Sequence, residues 1–512
     1  MTLDLASSIR SVLALAPDQS ALEYQERWYS WGDVASIMQR GETLLATAGL
    51  GEGASVGILL RNQPAAVAML LQVLATRRCV VTLNPFQSAD KIASDLAAVQ
   101  VDAVIADEQD WESSAIRQAV ADKGCLALSI SSRAELTVQA LPEIVVAPER
   151  ISAPSQTGIA IMMLSSGTTG PAKRIALPYS NFEHSLLDAA HYENKKNASG
   201  KAELKTSPAM LCIPLVHIGG MYAAVAAIIA GRSIVILEKF SVIEWTRAVS
   251  KYRPKLVSLP PTAIRMILDA QVPKESIDSL LAIRTGSAPL DPELQQAFEA
   301  IYDIPLLDAY GATEFAGAVA GWSLRDHQRY SADKRGSVGR PQPGCELRVI
   351  DPETSTPLGN NIVGLLEVRS AQVGTGQWVR TTDLAEIDDD GFLFIRGRVD
   401  SAIIRGGFKV LPRDVEQILR EHPAIKEICI VGMPDQRLGA VPVAAFELEP
   451  GATLDEKDLV AFARNKLVAY QVPVKWQAVD RLPRTPSLKI SQYEVRQLFD
   501  AQAETSPTSV AQ

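Results

Sequence analysis

Cysteine, histidine and aromatic residues are all scarce in this chain. Five cysteines and five histidines are spread over 512 residues. Cys79, Cys125, Cys212, Cys345 and Cys429 form no CxxC pair and have no histidine at ligand spacing, which excludes a disulfide framework and a structural zinc site. Positive charge is in deficit too, with a formal net charge of −9 and an isoelectric point near 5.3. No broad basic face can neutralise a nucleic-acid backbone or an anionic membrane surface, so neither partner is expected. Long apolar runs are missing with one exception, "AMLCIPLVHIGGMYAAVAAIIAG" at 209–231, which carries no formally charged residue. Pro214 and the pair Gly219-Gly220 interrupt it, so Met221 to Ala230 reads as a buried helix and not a bilayer span. The start, "MTLDLASSIRSV", has Asp4 early and no apolar core, unlike a secretory leader, and the expected location is cytoplasmic.

What is present is globular. Apolar residues make up 47% of a chain too long for one hydrophobic core, so two or more domains are expected. The first half alternates short apolar runs ("SVGILL", "CVVTLN", "DAVIAD") with amphipathic or apolar helical stretches ("PAAVAMLLQVLAT", "ADKIASDLAAVQ"). Such alternation predicts parallel, layered α/β structure, and it resumes after 174. From about 335, "CELRVID", "GLLEVRS" and "GFLFIRG" read as antiparallel strands between turns, and a last unit after "GRVDS" mixes helix and strand. "EIDDDG" reads as a hairpin turn and "ENKKNASGKAELKTS" (193–207) as an exposed loop.

The chemistry begins at "LSSGTTGPAKR", residues 164 to 174. Its glycines let backbone N–H groups approach closely, its hydroxyls can share anionic oxygens, and two cations follow, a composition suited to polyphosphate. It is not a Walker A loop, because only two residues separate Gly167 from Gly170 and Lys173 is followed by Arg174. HRD and DFG tripeptides are missing, which excludes the protein-kinase arrangement.

Further segments follow in order: "TGSAPL" (285–290), "YGATEF" (310–315), "TTDLA" (381–385), "GRVDSAIIRGGFKVLPRDVE" (397–416) and "LPRTPSLKI" (482–490). Together they resemble the adenylate-forming superfamily of acyl-CoA synthetases, peptide-synthetase adenylation domains and beetle luciferases, over nearly the whole chain. The resemblance implies an α/β plus α+β fold. A large N-terminal domain (1–399) would hold two α/β subdomains and a small β-barrel. A small mobile α+β domain (400–500) would follow a hinge at Asp400, with a disordered tail at 501–512.

The resemblance also implies roles. Ser165, Ser166, Gly167, Thr168, Thr169, Gly170 and Lys173 match the loop on the β- and γ-phosphates, where relatives read Pro-Lys-Gly and this chain reads Ala172-Lys173-Arg174. Ser287, Ala288, Tyr310 and Gly311 match positions around the nucleotide. Thr313 matches a hydroxyl on the α-phosphate, and Glu314 the magnesium carboxylate. Asp383 matches the ribose carboxylate and Arg398 the cation beside it. Lys489 matches the lysine that acts in adenylation, preceded here by Leu488 in place of the usual glycine, and strain at that leucine is expected to alter the loop. Gly406, Gly407 and Lys409 match the face that serves the thioester step. His217, Ile218, Gly219, Gly220 and Gly286 match the acid pocket. Amino-acid-activating relatives place an aspartate in that region to pair the substrate ammonium; none stands here, so an apolar alkyl, alicyclic or aryl carboxylate is expected. The implied cofactors are ATP, Mg2+ and coenzyme A. An acyl carrier protein as acceptor, or a non-catalytic sensor of acid or nucleotide, are the alternatives.

Overall fold

The computed structural model describes residues 3–144, 156–164, 174–193, 203–374, 376–399, 401–485 and 488–504. They fall into two compact units: one built from stretches within 1–165, 173–346 and 369–377, the other from 347–368 and 378–512.

Local chemistry starts the first unit. Asp4 caps the helix Leu5–Leu13 by accepting from the Ala6 and Ser7 amides, and Ser30 with Asp33 forms a capping box on the helix Trp31–Thr47. The apolar runs become strands Ser55–Leu59, Cys79–Leu83 and Ala103–Asp107, each with every residue buried. These pair in parallel, as strands covered on both faces do. They are the centre of a seven-stranded sheet in the order Thr137–Ala140, Leu126–Ser131, Ala103–Asp107, Ser55–Leu59, Cys79–Leu83, Ile159–Leu164, Arg174–Pro178. The helix Pro64–Ala75, buried at every position, is sequestered in the same core. All five cysteines are buried and none is in a disulfide.

A five-stranded sheet follows, ordered Leu256–Ser258, Ala282–Gly286, Leu306–Ala312, Gly317–Gly321, Arg340–Pro341, parallel over its first three strands and antiparallel after. A four-stranded sheet joins Lys205–Leu211, Arg232–Ile236, Ser20–Tyr24 and Arg27–Ser30. The expected loop at 193–207 therefore ends early, since Lys205 to Ser207 already belong to a strand. The uncharged stretch yields the helix Ile218–Ile229, three residues earlier at its start than the sequence pattern suggested. Among the described residues no helix is long and apolar enough to cross a membrane.

Most of the remaining antiparallel texture lies in the second unit. Cys345–Ile350, Gly364–Ser370, Val379–Ile387 and Leu393–Arg398 form a four-stranded sheet with the first and last as edges. Closure of this sheet into the barrel implied by the resemblance is not among the described pairings. The acidic run is a turn as expected: the Asp388 carboxylate accepts from the Asp390 and Phe392 amides at 3.0 and 2.8 Å. A last sheet orders Phe408–Val410, Ile403–Arg405, Gly439–Leu448 and Ile425–Asp435, with Trp476–Ala478 parallel beside Gly439–Leu448. The helices Pro412–Leu419 and Glu456–Lys466 bury Val415, Leu419, Leu459 and Ala463 in the core of this sheet. The helix Gln492–Glu504 takes in the first residues of the expected tail, and 505–512 lie outside the described residues.

Candidate active site

Ser165 to Lys173 lie outside the described residues, as does Asp400. The frame of the glycine-rich segment is nevertheless defined. Ile159–Leu164 and Arg174–Pro178 pair antiparallel with Leu164 opposite Arg174, so residues 165–173 connect the two strands of a hairpin. Arg174 turns its side chain into the sheet. One guanidinium nitrogen donates to the Thr82 carbonyl at 3.1 Å, while Nη2 is buried without a hydrogen-bond partner among the described residues, as is Oδ2 of Asp95. Burial pulls the Arg174 guanidinium below the usual arginine range, and the charge of Asp95 opposes that shift.

Within the first unit three sequence-derived segments converge. Parallel pairing sets Gly286 beside Ala309, so Ser287 and Ala288 leave one strand end while Tyr310 and Gly311 continue the next. The carboxyl ends of neighbouring parallel strands are where open α/β sheets take ligands. Ser287 is exposed and holds φ +64°, the left-handed region. Gly311 is required by close packing, because a Cβ there would lie 2.2 Å from the Gly317 carbonyl oxygen. The short helix Thr313–Phe315 then presents Glu314, and Ala316 ends it at φ +55°. The Ser185 hydroxyl on the helix Tyr179–Glu193 holds this turn by donating to the Ala316 carbonyl at 2.9 Å. The Tyr222 hydroxyl on Ile218–Ile229 donates in turn to the Ser185 carbonyl at 3.0 Å. His217 is the N-cap residue of that helix, and Gly219 on its first turn faces open space.

Glu314 is exposed and engages no described residue. Among the described residues no group of three or more Asp, Glu, His or Cys side chains could hold a metal ion alone. One available carboxylate is what magnesium needs when phosphate oxygens and water complete its octahedron, so Glu314 fits that role.

The second unit gathers another group. Asp383 and Arg398 are direct cross-strand partners on Val379–Ile387 and Leu393–Arg398, an opposite-charge pair that stabilises the ladder. Arg398 also donates to the Thr382 hydroxyl at 2.6 Å, and the Asp383 amide donates to Thr381 Oγ1 at 3.0 Å. Lys489 lies within electrostatic reach: burial first, then the charge of Arg398, lower its ammonium below the ordinary lysine range. Leu488 adopts φ +63°, in the left-handed region that favours glycine. That conformation costs a leucine about 1–2 kcal/mol, and hydrogen bonds on either side of it hold the turn.

Gly406 and Gly407, at φ +56° and +87°, form the two-residue loop of the hairpin Ile403–Arg405/Phe408–Val410. Two consecutive positive φ values are what a type I′ turn demands, so turn geometry by itself accounts for the glycine pair. A side chain on Gly407 would meet open space, and Lys409 is exposed on the returning strand.

Sequence reasoning missed two features outright. A cavity of about 590 Å3 in the first unit is lined in part by Ser180, His184, Glu346, Arg369 and Ser370, none of them singled out by a motif. The other is Arg484, beside the Lys489 turn. Its charge sits inside the motif "LPRTPSLKI", and the carboxylates that meet it are distant in sequence.

The sequence matches the AMP-binding enzyme family over residues 10–378 and the AMP-binding enzyme C-terminal domain over 414–489, ending on Lys489. The chain belongs to the AMP-binding enzyme family. Among curated relatives, this AMP-binding enzyme is 28% identical over 490 residues to 4-coumarate–CoA ligase 3 of Oryza sativa subsp. japonica, covering 91% of this chain and 87% of that protein. It is also 28% identical over 498 residues to 2-succinylbenzoate–CoA ligase of Bacillus pumilus, covering 94% and 96%. Its fold is similar to that of ATP-bound MatB from Rhodopseudomonas palustris, with TM-score 0.82, 22% identity and coverage of 98% and 99%. The amide bond synthetase McbA from Marinactinospora thermotolerans gives TM-score 0.78 at 24% identity, covering 97% and 99%. The AMP-binding enzyme thus has the mixed α/β architecture of this group, a large N-terminal domain followed by a small C-terminal one.

Proposed function

We propose that the chain joins a carboxylic acid to coenzyme A in two steps: adenylation by ATP with release of pyrophosphate, then transfer of the acyl group from the acyl-adenylate to the thiol, releasing AMP. The observation that carries this reading is the family match through both domains, with Asp383, Arg398 and Lys489 gathered in one unit. An aryl carboxylate leads the candidate acids, because the relatives include ligases named for 4-coumarate and 2-succinylbenzoate.

A carboxylic acid is ionised at neutral pH and needs no general base to attack the α-phosphorus. The protein's work is positioning and charge neutralisation. Tyr310, Gly311, Ser287 and Ala288 would seat the nucleotide, and Asp383 would accept its ribose hydroxyls. Thr313 would donate to the α-phosphate, with Thr168, Thr169 and Lys173 on the departing phosphates. Magnesium bound at Glu314 would supply further neutralisation of phosphate charge. Lys489 would stabilise the charge that grows between the attacked phosphorus and the acid. His217, Gly219 and Gly286 would line the acid pocket. Rotation at Asp400 would then exchange Lys489 for the hairpin bearing Gly406, Gly407 and Lys409.

The test supplies ATP, magnesium and a panel of aryl, alicyclic and alkyl acids, with and without coenzyme A, and measures pyrophosphate and thioester. Lys489→Ala should cripple adenylation and spare thioester formation from a supplied adenylate. Pyrophosphate without thioester would reject coenzyme A as acceptor, and no pyrophosphate with any acid would reject the reading altogether.

A further inference from the structure

The turn that carries Lys489 is held from outside by a residue no motif role covers. Arg484 is only 11% exposed at its side chain. Nη1 donates to the carbonyl of Leu488 at 3.0 Å, Nη2 donates to Glu427, and Nη2 also lies 3.8 Å from Glu447. Glu427 and Glu447 face each other directly across the antiparallel strands Ile425–Asp435 and Gly439–Leu448. Like charges in that position repel, so the cation between them is part of what makes the pairing tolerable. Glu447 is fixed further, accepting the Leu482 amide at 2.8 Å. A sheet-mounted carboxylate pair thus orients one arm of a rigid guanidinium fork, and the other arm is aimed at the residue before Lys489.

The described ends of the receiving turn, Thr485 on one side and Leu488 and Lys489 on the other, are bonded to each other. The Leu488 amide donates to the Thr485 carbonyl at 2.8 Å and the Thr485 amide to the Lys489 carbonyl at 2.7 Å. The Lys489 amide donates to Thr485 Oγ1 at 3.2 Å. A leucine at positive φ persists only where its surroundings over-determine it, and the bond from Arg484 to the Leu488 carbonyl ties this turn to the carboxylates mounted on the sheet. We propose that Arg484, set by Glu427 and Glu447, is a positioning residue for adenylation: it fixes the Leu488 carbonyl and thereby the direction in which Lys489 leaves the turn. This rests on the reading of Lys489 given above.

Two substitutions separate positioning from simple charge balance. Arg484→Lys keeps a cation between the carboxylates but lacks the fork needed to reach the Leu488 carbonyl as well. Thr485→Val leaves the carboxylates and their cation alone and loosens the turn from its other side. Adenylation would be read as pyrophosphate release, thioester formation from a supplied adenylate, and folding as the denaturant midpoint, with Lys489→Ala measured alongside. Both variants are expected to lose adenylation kcat by ten- to a hundredfold, the scale of a misplacement of about 1 Å. ATP KM, the thioester step and the midpoint should stay near wild type. Unchanged adenylation in Arg484→Lys overturns the proposal, as does a loss in both half-reactions that tracks a lowered midpoint. If Lys489→Ala itself adenylates normally, the reading of Lys489 fails first; a crippled Lys489→Ala beside a normal Arg484→Lys sinks only the role of Arg484.

Discussion

Adjacent glycines on the helix Ile218–Ile229 should respond in opposite ways to the same added methyl. At Gly220 a Cβ would sit 2.3 Å from the Pro214 carbonyl oxygen, 2.6 Å from that of Ile213 and 2.7 Å from the Pro214 carbonyl carbon, all backbone atoms. That backbone is pinned by the buried Asn62, whose side-chain nitrogen donates to Ile213 and Leu237 at 3.2 and 3.1 Å and whose oxygen accepts the Leu215 amide at 2.8 Å. With no flexible group to give way, Gly220→Ala should fall at the upper end of overpacking costs, about 3 kcal/mol. Gly219 meets nothing within 4 Å, and its backbone is helical. Gly219→Ala therefore gains helix propensity, up to about 1 kcal/mol, and places its methyl in the space assigned to the acid. A methyl-sized change in such a pocket discriminates between substrates by about tenfold or more. Denaturant midpoints at constant slope give the stabilities, and kcat/KM across acids of graded size gives the specificity. The reasoning fails if Gly220→Ala unfolds with wild type, or if Gly219→Ala leaves the ranking of acids unchanged.

Two further outcomes are expected. Because burial and Arg398 lower the Lys489 ammonium, its charge is lost as pH rises through a value below the ordinary lysine figure of about 10.4. Adenylation should show that alkaline fall, thioester formation should not, and Lys489→Arg should move the fall to higher pH; an identical limb in both half-reactions would contradict it. Arg174→Gly removes the tie to Thr82 and leaves the carboxylate of Asp95 without its nearby cation, so a destabilisation of about 1–3 kcal/mol is expected, with a severalfold rise in ATP KM. Chemical denaturation and initial rates check both, and a variant unaltered in each would dismiss Arg174 as an anchor of the hairpin.

Much of the scaffold could be read beforehand because it follows from periodicity. Runs such as "CVVTLN" have one stable fate, a strand covered on both faces, and Cys79–Leu83 is buried throughout. The break at Gly219-Gly220 likewise placed a helix where hydropathy alone would have suggested a span. What escaped is what depends on distant partners. Nothing in "LPRTPSLKI" tells that Arg484 meets Glu427 and Glu447, since strand register decides it. Distance in sequence also hid the part-buried pair His327 and Glu299, 2.7 Å apart although 28 positions separate them. Burial alone would raise the Glu299 carboxyl, yet the bonds from His327 and the Leu306 amide hold it below the ordinary range. Conformations against propensity were also hidden: Ser287, Ala316 and Leu488 all take positive φ that their side chains disfavour.

The helix Tyr179–Glu193 works as a shared beam. It continues without a gap from the strand Arg174–Pro178 and, at Ser185, grips the turn beside Glu314. Each residue removed from that strand would draw the helix along by about 3.3 Å and turn the chain feeding it to the opposite face of the sheet, carrying Ser185 off Ala316. Trimming that strand moves the anchor of the Glu314 turn. Grafts between related enzymes should therefore keep 174–185 intact.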